Sequence, residues 1–320
     1  MMAMISKSSF LLFFLLSAFA CTARGQALSP SFYSQTCPSL EFIVSSIMAT
    51  SVQRDPRMGA SILRLFFHDC FVNGCDGSVL LDDTPWLIGE KNAGGNRNSL
   101  RGFEVIDAIK ASVEAACNAT VSCADILALA ARDGVALLGG PSWQVDLGRR
   151  DGLTASRAAA EANLPPSSSS LAGLIGLFGI KGLSPRDLTA LSGAHTMGRA
   201  QCVNFRGHIY ADRNIDPSFA AFRRQTCPAF GGDDNLAPLD NRTQDLFDNG
   251  YYQNLVVGRG LMHSDQELFN GGSQDSLVGL YSVSTFDFFR DFVAAMVKMG
   301  NIGVLTGRQG EIRLNCRRVN

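Results

Sequence analysis

Apolar positions recur along most of this chain at the spacing of one helix face. After Ser39, which the pattern makes a helix cap, Leu40 to about Val52 sets Ile43, Ile47 and Val52 on one side. A second helical segment runs from Arg57 to about Phe71, ending near Cys70, and a third from Gly102 to Cys117 repeats Val105, Ile106, Ile109, Val113 and Ala116. Ser122 to Leu138 (SCADILALAARDGVALL) is apolar nearly all round, which predicts a helix in the middle of the core. Leu171 to Phe178, Ser184 to about Gly193 and Thr285 to Met299 complete the series. Ser184-Pro185-Arg186-Asp187 reads as a helix start: a cap, Pro in the first turn, and an acid at the positive end of the helix dipole. Alternating strand patterns are scarce, and there is no internal repeat or linker. The pattern predicts a mainly α protein, one compact unit or two lobes.

Two stretches resist helix assignment: 72–101, rich in Gly, Asn and Asp, and 205–242. Loops this long need something to hold them, and disulfides or bound calcium are the physical candidates. In the second stretch Asp212, Asp216, Asp233 and Asp234 read as solvated loop acids.

The N-terminus carries a different signal. Lys7 precedes an apolar run of 11 residues, Phe10 to Ala20, and Ala23-Arg24-Gly25 then fits a cleavage site before Gln26. This predicts a secretory signal over 1–25 and a mature domain over 26–320, with Gln26 free to cyclise to pyrrolidone carboxylic acid. A lipoprotein signal at Ala20-Cys21 is the weaker alternative. The apolar run is too short to span a bilayer, so no membrane attachment is expected after cleavage. Removal of 1–25 leaves 26 basic against 29 acidic residues, so nothing favours a nucleic-acid partner. Eight of the nine cysteines remain; an even count in an oxidising compartment implies four disulfides, with 105 possible pairings. The sequons at Asn118 and Asn241 are candidate glycosylation sites.

Candidate chemistry gathers around the four histidines His68, His195, His208 and His263. Arg64 and His68 are four apart on a predicted helix and project from one face: a cation beside a base, or an arginine packed near a core histidine. The segment from Asp69 to Ser78 offers hard oxygen donors at Asp69, Val72, Gly74, Asp76 and Ser78, which suits calcium or simply a polar turn. His195 follows the capped helix among glycines, as a core histidine or a metal ligand. Ala190 breaks the G-x-S-x-G elbow of a serine hydrolase, and HExxH, P-loop and Rossmann fingerprints are absent.

Taken together, RLFFHDCFVNGCDGSVLLD, VSCADILALAARD, GGPSW with VDLGRRDG, ALSGAHTMGRAQC, and FDNGYYQNL with GLMHSDQELF closely resemble the secretory plant-type haem peroxidases, plant class III. The resemblance runs from Leu28 to Cys316. It implies the haem peroxidase fold, with haem b between distal and proximal helical lobes, two calcium ions and four disulfides. It implies a secreted monomer, in the extracellular space or cell wall, that reduces hydrogen peroxide and oxidises small phenolic donors in two one-electron steps. By the resemblance His195 is the proximal haem ligand and Asp265 the carboxylate behind it. His68 is the distal acid–base group, Arg64 its partner, and Phe67 shields the haem edge. Asn96, supported by Glu90, hydrogen-bonds His68, and Pro165 lies at the substrate channel. Asp69, Val72, Gly74, Asp76 and Ser78 are the distal calcium ligands; Thr196, Asp240, Thr243, Leu246 and Asp248 are the proximal ones. The implied disulfides are Cys37–Cys117, Cys70–Cys75, Cys123–Cys316 and Cys202–Cys227. His208 and His263 match nothing catalytic and are expected at the surface. Asn204 and Gly94 replace aromatics that some members expose near the haem edge, which leaves an aromatic donor site without support. The alternative is a secreted calcium-binding structural protein on the same scaffold that has lost catalysis; retention of Arg64, His68, Asn96, His195 and Asp265 argues against it.

Overall fold

A computed structural model describes residues 28–320; the expected signal segment, Cys21 and Gln26 lie outside them. The first helix, α1 (Leu40–Arg54), starts where expected, but the Ser39 side chain makes no capping hydrogen bond. Then come α2 (Arg57–Val72), α3 (Phe103–Ala116) and α4 (Cys123–Leu137). Ser122 caps α4 by accepting from Asp125 N, and ten of its first eleven side chains, as well as Gly134, are buried, as a helix apolar on all sides requires. α2 lies across α4, and α1 covers both α3 and α4. Gly59 and Gly134 face each other in this crossing. A Cβ on Gly59 would stand 2.8 Å from the Gly134 carbonyl oxygen, so glycine there sets how near α2 approaches α4.

The second half holds α5 (Arg157–Asn163), α6 (Leu171–Ile180), α7 (Pro185–Ser192), α8 (Arg206–Ala211), α9 (Pro217–Arg224), α10 (Gly250–Val256), α11 (His263–Gln266), α12 (Asp275–Val283) and α13 (Thr285–Met299). The predicted capping box opens α7. Ser184 Oγ accepts from Asp187 N at 3.2 Å, and Asp187 Oδ2 accepts from Ser184 N at 2.9 Å. α7 ends one residue before Gly193, and a single tight 3₁₀ turn, Gly193–Thr196, follows. Among the described residues, strand is confined to a two-stranded antiparallel ribbon, β1 (Arg199–Gln201) with β2 (Leu236–Pro238), and to isolated bridges.

One large core runs through α1 to α4, α7, α10, α12 and α13. A smaller one beneath β1, α8 and α9 gathers Phe205, Ile209, Phe219 and Leu261. The stretch 205–242, expected to be irregular, therefore contains two short helices and a strand around a core of its own. Its acids reach solvent, with Asp233 and Asp234 exposed, but make specific contacts: Asp216 caps α9 through Phe219 N, Asp233 pairs with Arg206, and Asp212 bonds two histidines. Helices of six and eight residues carry too few turns for a periodic signal.

Four disulfides join Cys37–Cys117, Cys70–Cys75, Cys123–Cys316 and Cys202–Cys227. Cys123–Cys316 closes the longest loop, 193 residues, and fastens the C-terminal segment to the start of α4. Among the described residues no helix is long and apolar enough to cross a membrane.

Candidate active site

α2 presents Arg64, Phe67 and His68 one helical turn apart, so three candidate side chains follow from one local geometry. His68 is buried, and its Nδ1 lies 2.6 Å from Asn96 Oδ1. The amide's orientation is fixed at its other end, where Asn96 Nδ2 donates to the Glu90 main-chain carbonyl at 2.9 Å. Oδ1 must then accept, so His68 carries its proton on Nδ1 and keeps a lone pair on Nε2. Burial, and after it the positive charge of Arg64, hold the imidazole well below its ordinary pKa, against the opposing effect of Asn96. The ring is a neutral base at physiological pH.

Arg64 donates to the Gly95 carbonyl at 2.9 Å and to Ser99 Oγ at 3.2 Å, with no carboxylate partner. Burial lowers its pKa to about 10, which still leaves it charged at neutral pH. Phe67 stacks on Phe71, ring centres 4.2 Å apart. Pro165 is half-buried, and its neighbour Leu164 reaches to 4.0 Å from where a Cβ on Gly95 would stand, beside the carbonyl that holds Arg64.

His195 sits in the 3₁₀ turn after α7. Gly198, just beyond it, packs against Ala60 of α2, which brings this turn alongside the helix bearing His68. The turn itself is wedged: a Cβ on Gly193 would stand 2.4 Å from both Tyr252 Oη and Phe288 Cε2. His195 Nδ1 donates to Asp265 Oδ1 at 2.7 Å across 70 residues of sequence. Asp265 also accepts from Tyr251 Oη at 3.1 Å and from Met262 N at 3.0 Å. These three contacts fix the carboxylate's orientation, with Oδ1 aimed at the ring. Among the described residues no hydrogen bond holds His195 Nε2, and about a third of the side chain is accessible. Tyr251 is the participant the sequence did not mark; its motif contains Tyr251-Tyr252, and nothing local distinguishes the tyrosine that meets Asp265 from the one that bonds the Thr189 carbonyl.

Oxygen donors collect at two further places. Asp69, Asp76, Ser78 and Glu90 are all buried, and Ser78 Oγ and both Glu90 carboxylate oxygens have no hydrogen-bond partner among the described residues. Asp69 accepts only from the Gly77 and Val79 amides. Burial raises the pKa of Asp69 and Asp76, with Asp76 adding to the effect on Asp69, and pushes Glu90 up to about 8. Glu90 thus faces this cluster with its carboxylate and supports Asn96 only through its carbonyl. Gly74 takes φ +106, and the Val72 carbonyl accepts from Lys181 Nζ at 3.2 Å. On the other side Thr196 Oγ1 bonds Asp248 Oδ1 at 3.0 Å, and Thr243 Oγ1 bonds Asp240 Oδ2 at 3.1 Å. Leu246 is exposed, so only its backbone can contribute to this group.

The sequence comparisons identify the family. The family model described as peroxidase matches residues 44–284. Peroxidase P7 of Brassica rapa is 59% identical over 295 residues, covering 92% of this chain and 100% of the relative. Peroxidase 70 of Zea mays is 56% identical over 321 residues, covering 100% of both. Peroxidase 67 of Arabidopsis thaliana is 58% identical over 296 residues, covering 92% of this chain and 94% of the relative. Full-length identity at this level, on a helical scaffold with two oriented histidines and four disulfides, places the chain in the plant class III haem peroxidases, enzymes that reduce hydrogen peroxide at the expense of a donor substrate.

Proposed function

We propose that in this peroxidase His68, Arg64 and Asn96 activate hydrogen peroxide, and that His195, oriented by Asp265, would hold the iron of haem b. The donor set fits such a group: two imidazoles are each held through Nδ1, and neither Nε2 is claimed by the protein. When bound, the haem iron supplies the redox chemistry.

The protein's own work is to place protons and charge. His68 Nε2 takes a proton from one peroxide oxygen and delivers it to the other, which a single neutral imidazole beside both can do. Asn96 keeps the other ring nitrogen protonated, so Nε2 is bare at the start of each turnover. Arg64 stabilises the negative charge that develops on the departing oxygen, and with no carboxylate partner its charge is not already neutralised. Asp265 draws on the His195 N–H and makes that imidazole a more electron-rich donor. Phe67 shields the pocket edge, and Pro165 lines the approach of small phenolic donors, each giving up one electron.

The buried, partnerless oxygens of Ser78 and Glu90, beside Asp69 and Asp76, support a calcium ion there; oxygen-only donors suit a hard cation. Val72 and Gly74 would add backbone carbonyls. Thr196, Asp240, Thr243, Leu246 and Asp248 would hold a second ion next to the axial histidine. Four disulfides and the N-terminal signal pattern support secretion, with the domain beginning at Gln26. Asn118 and Asn241 are both exposed and would carry glycans.

The observation that carries this reading is the Glu90–Asn96–His68 chain, which leaves a bare Nε2 beside an unneutralised arginine. His68→Leu should keep the haem Soret band and lose about 10²- to 10⁴-fold in the rate of reaction with peroxide. A near-normal rate in that variant would refute the assigned role.

A further inference from the structure

His208 and His263 were expected at the surface with no role. Instead His208 is buried, and both imidazoles turn toward one carboxylate. Asp212 Oδ2 lies 2.6 Å from His208 Nδ1 and 2.7 Å from His263 Nδ1. The rings stand nearly perpendicular, at 83°, with centres 6.0 Å apart. His208 lies on α8, Asp212 is the residue that ends it, and His263 opens α11.

We propose that His208, Asp212 and His263 form a binding site for a divalent transition ion of the zinc type, separate from the haem and from both calcium groups. One ligand atom from each residue lies within 4.8 Å of the other two. An ion at about 2.0–2.1 Å from each donor needs donor–donor separations near 3.3 Å in tetrahedral geometry. The two contacts of Asp212 with the histidines must therefore open by roughly 0.6–0.7 Å from their hydrogen-bonded spacing. Asp212 and His263 are each about a quarter to a third exposed, so they have room to rotate, and water can complete the coordination. Partial burial opposes ionisation of Asp212, but the hydrogen bonds from His208 and His263 outweigh it and hold this carboxyl below its ordinary pKa. Behind His263, Glu267 Oε1 stands 3.8 Å from Nε2, where a small movement would let it accept the ring N–H of a metal-bound imidazole. Two imidazole nitrogens and one carboxylate suit zinc or copper and are poor donors for calcium. The ion would fasten the small core around α8 to the helix that carries Asp265.

The test uses untagged, haem-loaded protein with calcium at saturation, so that zinc does not report the calcium groups. Titration with zinc chloride, read by calorimetry and by metal content after gel filtration, should give one zinc per chain. Affinity should fall about tenfold or more in His263→Gln and in Asp212→Asn. An unchanged Soret band in each variant confirms a folded protein. With Cu²⁺ as the probe, electron paramagnetic resonance should show two coordinated nitrogens in the parent and one in His263→Gln. A triad that is only a hydrogen-bonded strap predicts otherwise. No zinc uptake at about 1 mM, or undiminished affinity in His263→Gln, overturns the proposal.

Discussion

Replacing Asn96 by Leu removes the amide and keeps the branching of the side chain, so it isolates what that amide does. The Glu90 carbonyl would lose Asn96 Nδ2 but keep the Ala93 amide at 3.0 Å, so little is lost there. His68 Nδ1–H has no such substitute: its sole partner is Asn96 Oδ1, in a pocket where His68 is buried. A buried donor left unpaired costs about 1–3 kcal/mol. The ring can escape that cost by moving its proton to Nε2, the nitrogen that must receive a proton from peroxide. The same 1–3 kcal/mol then becomes a roughly 5- to 150-fold slower reaction with peroxide, because the reactive tautomer must be repopulated. The assay is stopped-flow mixing of haem-loaded variant and parent with peroxide at neutral pH, with a thermal melt of each. Slower reaction with a melting point only a few degrees lower is the expected pair of results. If the rate stays within about twofold of the parent, Asn96 does not set the tautomer, and the argument from the Glu90 carbonyl fails.

Three further outcomes follow from particular contacts. Chelation of calcium should lower the melting temperature by about 5–10 °C, from about 2.7 kcal/mol per ion at a hundredfold excess over Kd; an unshifted melt after verified removal of the ions would dismiss the buried Asp69–Asp76–Ser78–Glu90 oxygens as a calcium site. Burial opposes ionisation of Asp187, but hydrogen bonds from Lys298 and Ser184 outweigh it and set the folded pKa below 3.8. Its contribution to stability is therefore complete above the unfolded value and disappears as pH falls through the lower folded value. Asp187→Asn should flatten that part of an acid-denaturation curve, and a superimposable curve would contradict the sign. Gly193→Ala should cost about 1–3 kcal/mol through collision with Tyr252 and Phe288 and weaken haem retention by moving His195; unchanged stability and haem content would mean the turn yields without effort.

Much of this protein is local and could be read from its residues. Arg64, Phe67 and His68 share a face because an α-helix repeats every 3.6 residues, and Ser184 with Asp187 starts α7 by a geometry contained in four consecutive residues. α4, apolar nearly all round until Arg132, had to be central because most of its surface could not meet water. Family resemblance named distant partners, such as Asp265 for His195 and Asn96 for His68, that no periodicity could join.

The tertiary structure decided what depends on atoms meeting across long stretches of chain. It turned Glu90 so that its carbonyl, and not its carboxylate, orients Asn96, and it selected Tyr251 over Tyr252 as a partner of Asp265. It also folded 205–242 over a second core, which buried His208 and set Asp212 between two histidines that lie 55 residues apart. Short-range spacing fixes which side of a helix a residue occupies. Which group it meets there depends on packing and desolvation, summed over elements that are neighbours only after folding.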